Sequence, residues 1–288
     1  MDINITSYFG IQVAKFIMKA FFRTSFRFYC LGLIIVINAF SLSAQAANYN
    51  FIVQPVLPAD QIRKNYQPLV DYLSQQTGHT FSVKAYRDFM VYWIRMQKAK
   101  DMHFVLDAAH FTDYRVKRKG YRVLAKFPDT VSFTVVTGED SFILDMEELI
   151  GKRIATMPSP GMGAVRLNQM FPNPVRLPVF IQVKNSVEAV DKVLAGGVDA
   201  AIIPSPLVGA YDQLNTVEST ESVPHMAVSA SSEVPEEVVQ AVKKALLEAS
   251  ETPRGRKMLE AMNLEGFENA TAQTYGGYAE LLDGVFGY

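Results

Sequence analysis

Cysteine is nearly absent: among 288 residues only Cys30 carries a thiol. It lies in an apolar run near the N-terminus, so the chain beyond residue 46 forms no disulfide and offers neither a thiolate nucleophile nor a cysteine metal site. Histidine is scarce too. His79, His103, His110 and His225 make no i, i+4 pair and no His-x-His spacing, which removes the usual metal-ligand patterns. No G-x-S-x-G elbow occurs, and Ser159 is flanked by prolines, so a hydrolase would lack its nucleophile. The residues thus call for no catalytic group, no metal and no cofactor. An excess of positive charge is missing as well: Lys15, Lys19, Arg23 and Arg27 stand against Asp2 in residues 1–46, leaving 24 basic and 28 acidic side chains beyond them. A surface of about −4 net charge gives nucleic acid or an anionic membrane nothing to hold. Lys117-Arg118-Lys119 then reads as a solvated face.

What is present begins with an export signal. Arg23 and Arg27 precede thirteen mostly apolar residues, Phe28 to Phe40, and Ala44-Gln45-Ala46 supplies the small residues of a cleavage site. The run is short of the roughly twenty residues that span a bilayer. Cleavage after Ala46 and a periplasmic location are expected, with Met18 as the expected true start. At 49% hydrophobic and 20% charged residues, the remainder is long enough to stand on its own core without disulfides.

Strand and helix patterns alternate along that remainder. Asn50–Val56 reads as a strand. A helix follows with Asp60 as N-cap, Ile62, Tyr66, Leu69 and Leu73 on one face and Gly78 as C-cap, with Pro68 kinking it or restarting it. Then come strand Thr80–Tyr86, a helix capped by Asp88 and running to about Lys98, and strand Met102–Leu106, a spacing that predicts an α/β fold with a parallel sheet. Strands Arg122–Phe127 and Ser132–Thr137, a short helix Asp145–Leu149 and strand Arg153–Met157 come next. Further on are strand Val179–Val183, a helix capped by Ser186 with Val187, Val190 and Leu194 on its face, and the wholly apolar strand Asp199–Ile203. A strand His225–Ser229, helices Pro235–Ala249 and Thr252 to about Met262, and a helical Tyr275–Phe286 close the chain. No internal repeat interrupts this order.

Lys152–Met170 is the stretch around which the rest is organised. A strand runs through Ser159-Pro160-Gly161-Met162-Gly163 into a helix, and such a junction leaves backbone amides aimed at one point, backed by the positive end of the helix dipole. The same glycines also suit an ordinary βα turn.

Several local patterns coincide. Asn65-Tyr66-Gln67-Pro68-Leu69-Val70-Asp71-Tyr72-Leu73, then Tyr86-Arg87-Asp88, Glu148-Leu149-Ile150-Gly151-Lys152-Arg153-Ile154-Ala155, Gly197-Val198-Asp199-Ala200-Ala201 and Thr252-Pro253-Arg254-Gly255-Arg256-Lys257 together resemble the phosphate, phosphite and phosphonate periplasmic binding proteins of ABC transporters. The resemblance implies a two-lobe type II periplasmic binding protein fold, each lobe a mostly parallel sheet flanked by helices and joined by two crossing strands. It places 48–132 and 225–288 in one lobe and 133–224 in the other. It implies a monomer that captures a small anion in the cleft for an ABC permease, or alternatively for a membrane sensor kinase or cyclase; an exported enzyme on the same fold is the lesser alternative.

The resemblance also implies site residues. The family's Ser-Thr-Ser-Gly loop corresponds here to Pro158–Gly163, in which Ser159 keeps a hydroxyl and Gly161, Met162 and Gly163 contribute backbone. Where the family has Gly-Pro-x-x-Tyr this chain has Leu106-Asp107-Ala108-Ala109-His110: Asp107 at a cleft edge would repel a dianion, and a protonated His110 would attract one. Tyr86 aligns with a ligand-facing tyrosine region, Asp199 with an acidic residue that orients ligand groups, and Ser205 stands at a strand end where open sheets present ligand contacts.

Overall fold

The structure, a computed structural model, describes residues 46–285 apart from Ala99, and Ala47–Tyr288 form one compact unit. The predicted export signal and start lie outside the described residues. Strand β1 (Asn48–Val53) leads into helix α1 (Ala59–Thr77), β2 (Thr80–Ala85), α2 (Phe89–Lys98), β3 (Phe104–Asp107) and α3 (Ala109–Lys119). After β4 (Arg122–Lys126) and the two-residue β5 (Thr130–Val131), the chain forms β6 (Phe133–Gly138), β7 (Arg153–Thr156), α4 (Met162–Met170), β8 (Val179–Gln182), α5 (Ser186–Leu194), β9 (Ala200–Pro204) and β10 (Leu214–Ser219). It returns through β11 (Val223–Pro224) to β12 (Ala227–Ala230), α6 (Glu236–Leu247), α7 (Pro253–Met262) and β13 (Glu268–Asn269), with 3-10 turns at Ala272–Tyr275 and Tyr278–Leu282.

Two sheets result. The first runs β13-β4-β12-β3-β1-β2 and the second β10-β6-β9-β7-β8. In each, the strands of the βαβ units are parallel, β2-β1-β3 and β8-β7-β9, while the strands next to the crossings pair antiparallel. The crossings are β5 and β11, which pair with each other through Val131 and Val223. A hydroxyl network fastens this hinge to β9: Ser205 Oγ lies 2.7 Å from both Ser132 Oγ and Thr134 Oγ1, and Ser205 N donates to Ser132 O.

Sequence and structure differ at several elements. Pro68 does not divide α1, which is a single helix of 19 residues with the proline inside it. The fully buried Leu69, Val70 and Leu73 anchor the turns around it, so tertiary packing absorbs the lost N–H bond. Pro58, not Asp60, is the N-cap, and Asp60 pairs with Arg63. Asn185, not Ser186, caps α5 by accepting from Glu188 N, and this moves the buried face to Ala189, Val190 and Val193 while Leu194 is exposed. The C-terminal segment forms 3-10 turns instead of a helix. Helix α3 is absent from the sequence expectation because it is buried on every side from Ala109 to Arg115, with His110, Thr112, Asp113 and Arg115 among Ala109, Phe111 and Tyr114, which leaves no one-sided apolar period to detect.

Candidate functional site

The carboxyl ends of the parallel strands in both sheets face one another, and each continues into a helix. From the first sheet come the junctions β2 to α2 and β3 to α3, and from the second β7 to α4 and β8 to α5. Open α/β sheets expose polar backbone at such ends. Apolar side chains of both sheets meet behind them in one cluster that includes Ile52, Phe89, Tyr92 and Phe111 together with Met157, Val183, Ala189 and Ile203. Hydrogen bonds also cross between the halves away from the β5–β11 crossing. His110 Nε2 donates to Pro160 O at 2.8 Å, and Ser186 N donates to Val56 O at 3.2 Å.

The loop that opens α4 is built tightly. Gly161 is the N-cap and makes no side-chain cap. Its amide is taken by Pro158 O at 2.9 Å, and the first intrahelical bond runs from Val165 N to Gly161 O. The amides of Met162, Gly163 and Ala164 are therefore the first-turn donors that no preceding carbonyl of the helix can satisfy. The Met162 side chain points into the core with Leu149, Ile154 and Leu167, so only its backbone faces the junction. Gly163 is required by close approach: a Cβ there would stand 3.1 Å from Ile202 Cγ2 and 3.4 Å from Thr156 Oγ1. Ser159 is exposed at the loop tip, whereas Pro160 is buried under His110.

Across from this loop, the β3 to α3 junction is occupied by a buried ion pair. The Asp107 carboxylate accepts from Arg115 Nε and from Tyr92 Oη, and Arg115 Nη2 donates to Tyr92 Oη at 3.2 Å. The guanidinium also lies 5.0 Å over the Tyr121 ring. Burial pushes the Asp107 carboxyl up and Arg115 opposes it. The Asp107 charge is cancelled inside the protein instead of standing at the cleft edge to repel a dianion. Sequence alone gave no pointer to Arg115, eight residues on in a helix with no apolar period. Gln54 was equally unmarked; its buried side chain accepts from Ala108 N at 3.0 Å and fixes the start of α3.

His110 sits in the first turn of α3 and is fully buried. Burial lowers its pKa to about 4, with the Arg166 charge acting the same way and the bond to Pro160 opposing it. The imidazole is therefore neutral at neutral pH, and the expected attraction of a protonated His110 for an anion is corrected: it works as a hydrogen-bonding ring. Tyr86 is half-buried beside Tyr92, ring centroids 5.9 Å apart, and burial raises its phenol pKa. Two residues stand elsewhere. Asp199 immediately precedes the central strand β9, at the amino end of the parallel strands, where its carboxylate accepts from Arg153 N at 2.7 Å and lines a cavity of about 470 Å³ with Glu139, Asp140 and Val193. Ser205 belongs to the hinge network. The structure thus gathers Gly161, Met162, Gly163, His110 and, beside them, Asp107 and Tyr86, sets Ser205 at the carboxyl end of the neighbouring strand β9 in the hydroxyl network, and places Asp199 at the opposite end of that strand.

The family model described as the periplasmic substrate-binding protein of phosphonate ABC transporters matches residues 51–275. The chain belongs to this family. Membership makes this phosphonate-transporter binding protein the periplasmic solute-capturing component of an ABC transporter, which implies a small ligand and a membrane permease as partners. Among solved structures it is similar to PhnD1 of Prochlorococcus marinus in complex with methylphosphonate, at 13% identity, TM-score 0.71, over 82% of this chain and 97% of that one. A binding-protein component of a phosphonate ABC transporter from Pseudomonas aeruginosa is similar at 13% identity, TM-score 0.71, over 82% and 86%. A Xanthomonas citri protein bound to ATP is similar at 13% identity, TM-score 0.65, over 83% and 100%. These likenesses show the two-lobe type II fold. No curated protein matches the sequence.

Proposed function

We propose that this binding protein captures a small phosphorus oxyanion, phosphonate-like, at the N-terminus of α4 in the cleft between its two sheets, and delivers it without chemical change. The observation that carries this reading is the trio of first-turn amides of Met162, Gly163 and Ala164, set at a strand-to-helix junction and faced by the α3 junction of the other sheet. Such amides and the positive helix end favour an oxyanion. The neutral Asp107–Arg115 pair leaves that end unopposed by free carboxylate. Gly161, whose amide is consumed by Pro158, serves the turn and not the ligand. We place the lobe boundaries at the crossings, 48–132 with 225–288 and 133–224 between them, and read the protein as a monomer with no catalytic residue. Export with cleavage after Ala46 is part of this reading, and the residue that would follow the cut is held to the fold: Ala47 N donates to His79 Nδ1 and Ala47 O accepts from Thr80 N.

The test is a thermal-shift and calorimetric titration of the purified full-length protein with methylphosphonate, phosphite, phosphate, methanesulfonate and acetate. A ligand at about a hundredfold its Kd adds about 2.7 kcal/mol to the folded state, a clear rise in Tm. Stabilisation by one or more phosphorus oxyanions and not by acetate is the expected result. Indifference to all three phosphorus compounds would reject the reading.

A further inference from the structure

Large apolar side chains left exposed among the described residues gather at one end of the second sheet: Phe142, Leu144, Val175, Leu177, Val179 and Leu194. This is the amino end of the parallel strands β7, β8 and β9, away from the strand-to-helix junctions. Phe142, Leu144 and Val175 are 93%, 80% and 87% exposed, so they cover almost nothing of the protein itself. Hydrogen bonds and an ion pair join the segments that carry them. Gly151 N donates to Leu177 O at 3.1 Å, Val179 N donates to Lys152 O at 2.7 Å, and Arg176 pairs with Glu147 at 3.8 Å. Leu194 joins them through the cavity it lines with Ser141 and Ile143. Apolar residues exposed singly need no explanation, but a cluster of this size marks a surface that meets something.

The loop that presents Phe142 and Leu144 is tied down. Glu139 N donates to Gln213 O at 2.9 Å, Ile143 N to Ser141 Oγ at 3.2 Å and Leu144 N to Glu148 Oε2 at 2.6 Å, while Ile143 between the two exposed residues packs against the core. Charge on this loop has one sign: residues 138–148 hold Glu139, Asp140, Asp145, Glu147 and Glu148 and no lysine or arginine. The neighbouring cations are Lys152, Arg153 and Arg176, and the two arginines already pair with Asp199 and Glu147. Glu139 and Asp140 make no ion pair among the described residues, and they stand at the cavity whose apolar lining is Ile143, Val193, Leu194 and Val198. A long apolar stem that ends in a cation fits such a lining.

Charge complementarity selects the occupant. An anionic lipid surface would be repelled, and a second copy offering the same face would set Glu139 and Asp140 against their own counterparts. A free cation would leave the apolar side chains uncovered. We propose that the amino end of the second sheet is a docking surface for a basic, apolar-studded segment of a protein partner, which places a lysine or arginine between Glu139, Asp140 and Asp199 and covers Phe142 and Leu144 with its apolar side chains. The proposal does not rest on the oxyanion reading: the surface lies at the other end of the sheet from the α4 junction, so a partner docked there leaves that junction free.

The probe is a fluorescent amphipathic peptide of leucine and lysine, about 18 residues at helical spacing, titrated by anisotropy against the full-length protein beside a leucine and glutamate peptide of the same spacing. The lysine peptide should bind and the glutamate peptide should not. Phe142→Ser with Leu144→Ser, and separately Glu139→Lys with Asp140→Lys, should each weaken binding at least about tenfold. Urea midpoints should stay at the parental value, because all four side chains are exposed. Amide hydrogen exchange with the lysine peptide bound should slow in residues 139–152 and 175–179. No binding, equal binding of both peptides, unchanged affinity in either double variant, or protection that falls elsewhere would each overturn the proposal. Self-association of the parent protein, or its retention on phosphatidylglycerol vesicles, that is abolished by Phe142→Ser with Leu144→Ser would overturn it too, by giving the face to a second copy or to a membrane.

Discussion

Two histidines set the acid limit of the fold. His110 and His225 both have pKa values lowered to about 4, burial being the main cause for each, with Arg166 and Lys126 respectively adding repulsion. Above the ordinary histidine value near 6.5 both are neutral folded or unfolded, and they contribute no pH dependence. As pH falls below it the unfolded chain takes up protons that the folded chain refuses, so stability is lost between about pH 6.5 and about pH 4, by about 1.4 kcal/mol per unit for each ring at most. Urea unfolding at pH 7 and pH 5 should show the lower midpoint at pH 5, and His110→Gln should reduce the difference; identical midpoints in the parent protein would contradict the burial argument. At this scale the sequence was legible only in part. The Pro158–Gly163 loop could be read because glycine and proline announce a turn. The charge state of His110 and the cancellation of Asp107 could not, because both depend on partners brought in from other elements.

Elements were easier to read where their buried face was apolar. Strand β9 and helices α1 and α6 carry their periods openly, and β12 is a run of buried residues. Strand β10 escaped because it lies on the sheet edge with Asn215, Thr216, Glu218 and Ser219 exposed, and α3 escaped because it buries polar and apolar residues alike. Helix α7 shows a constraint visible as a motif but explained only by packing. Thr252 caps it by accepting from Gly255 N at 3.0 Å, and a Cβ on Gly255 would fall 2.0 Å from Ala249 O. Backbone, not a flexible side chain, blocks that space. Gly255→Ala should therefore destabilise by about 3 kcal/mol or more despite the better helix propensity of alanine. Denaturant unfolding measures this, and a neutral or stabilised variant would show that α7 moves freely against the turn at Ala249–Glu251.

The molecule as a whole depends on its last residues. Tyr275 and Leu282 are fully buried, Tyr275 Oη donates to His225 O at 2.6 Å, and Ala279 N donates to the buried Asp113 carboxylate at 2.8 Å. The segment thus clasps α3, the helix whose first turn holds His110. Removing residues 271–288 should cost about 3–6 kcal/mol from the two large side chains alone, at about 1.5–3 kcal/mol each. Urea unfolding would register it, and a truncated protein with the parental midpoint would contradict the clasp. The two-sheet plan was legible from the alternation of periods, and the return of the chain to its first sheet followed from the family resemblance; the C-terminal clasp was not foreseen, since Tyr275–Phe286 read as a plain helix.

The order of strands in the first sheet has a consequence for biogenesis. Strand β12, residues 227–230, lies between β3 and β4, which precede it by about a hundred residues. Until it emerges from the ribosome, β3 and β4 have no partner to join them, and the core beneath them stays open. The second sheet, whose strands all lie between Phe133 and Ser219, is complete before that strand is made, so the first sheet, although it begins the chain, is the last part of the molecule that can close.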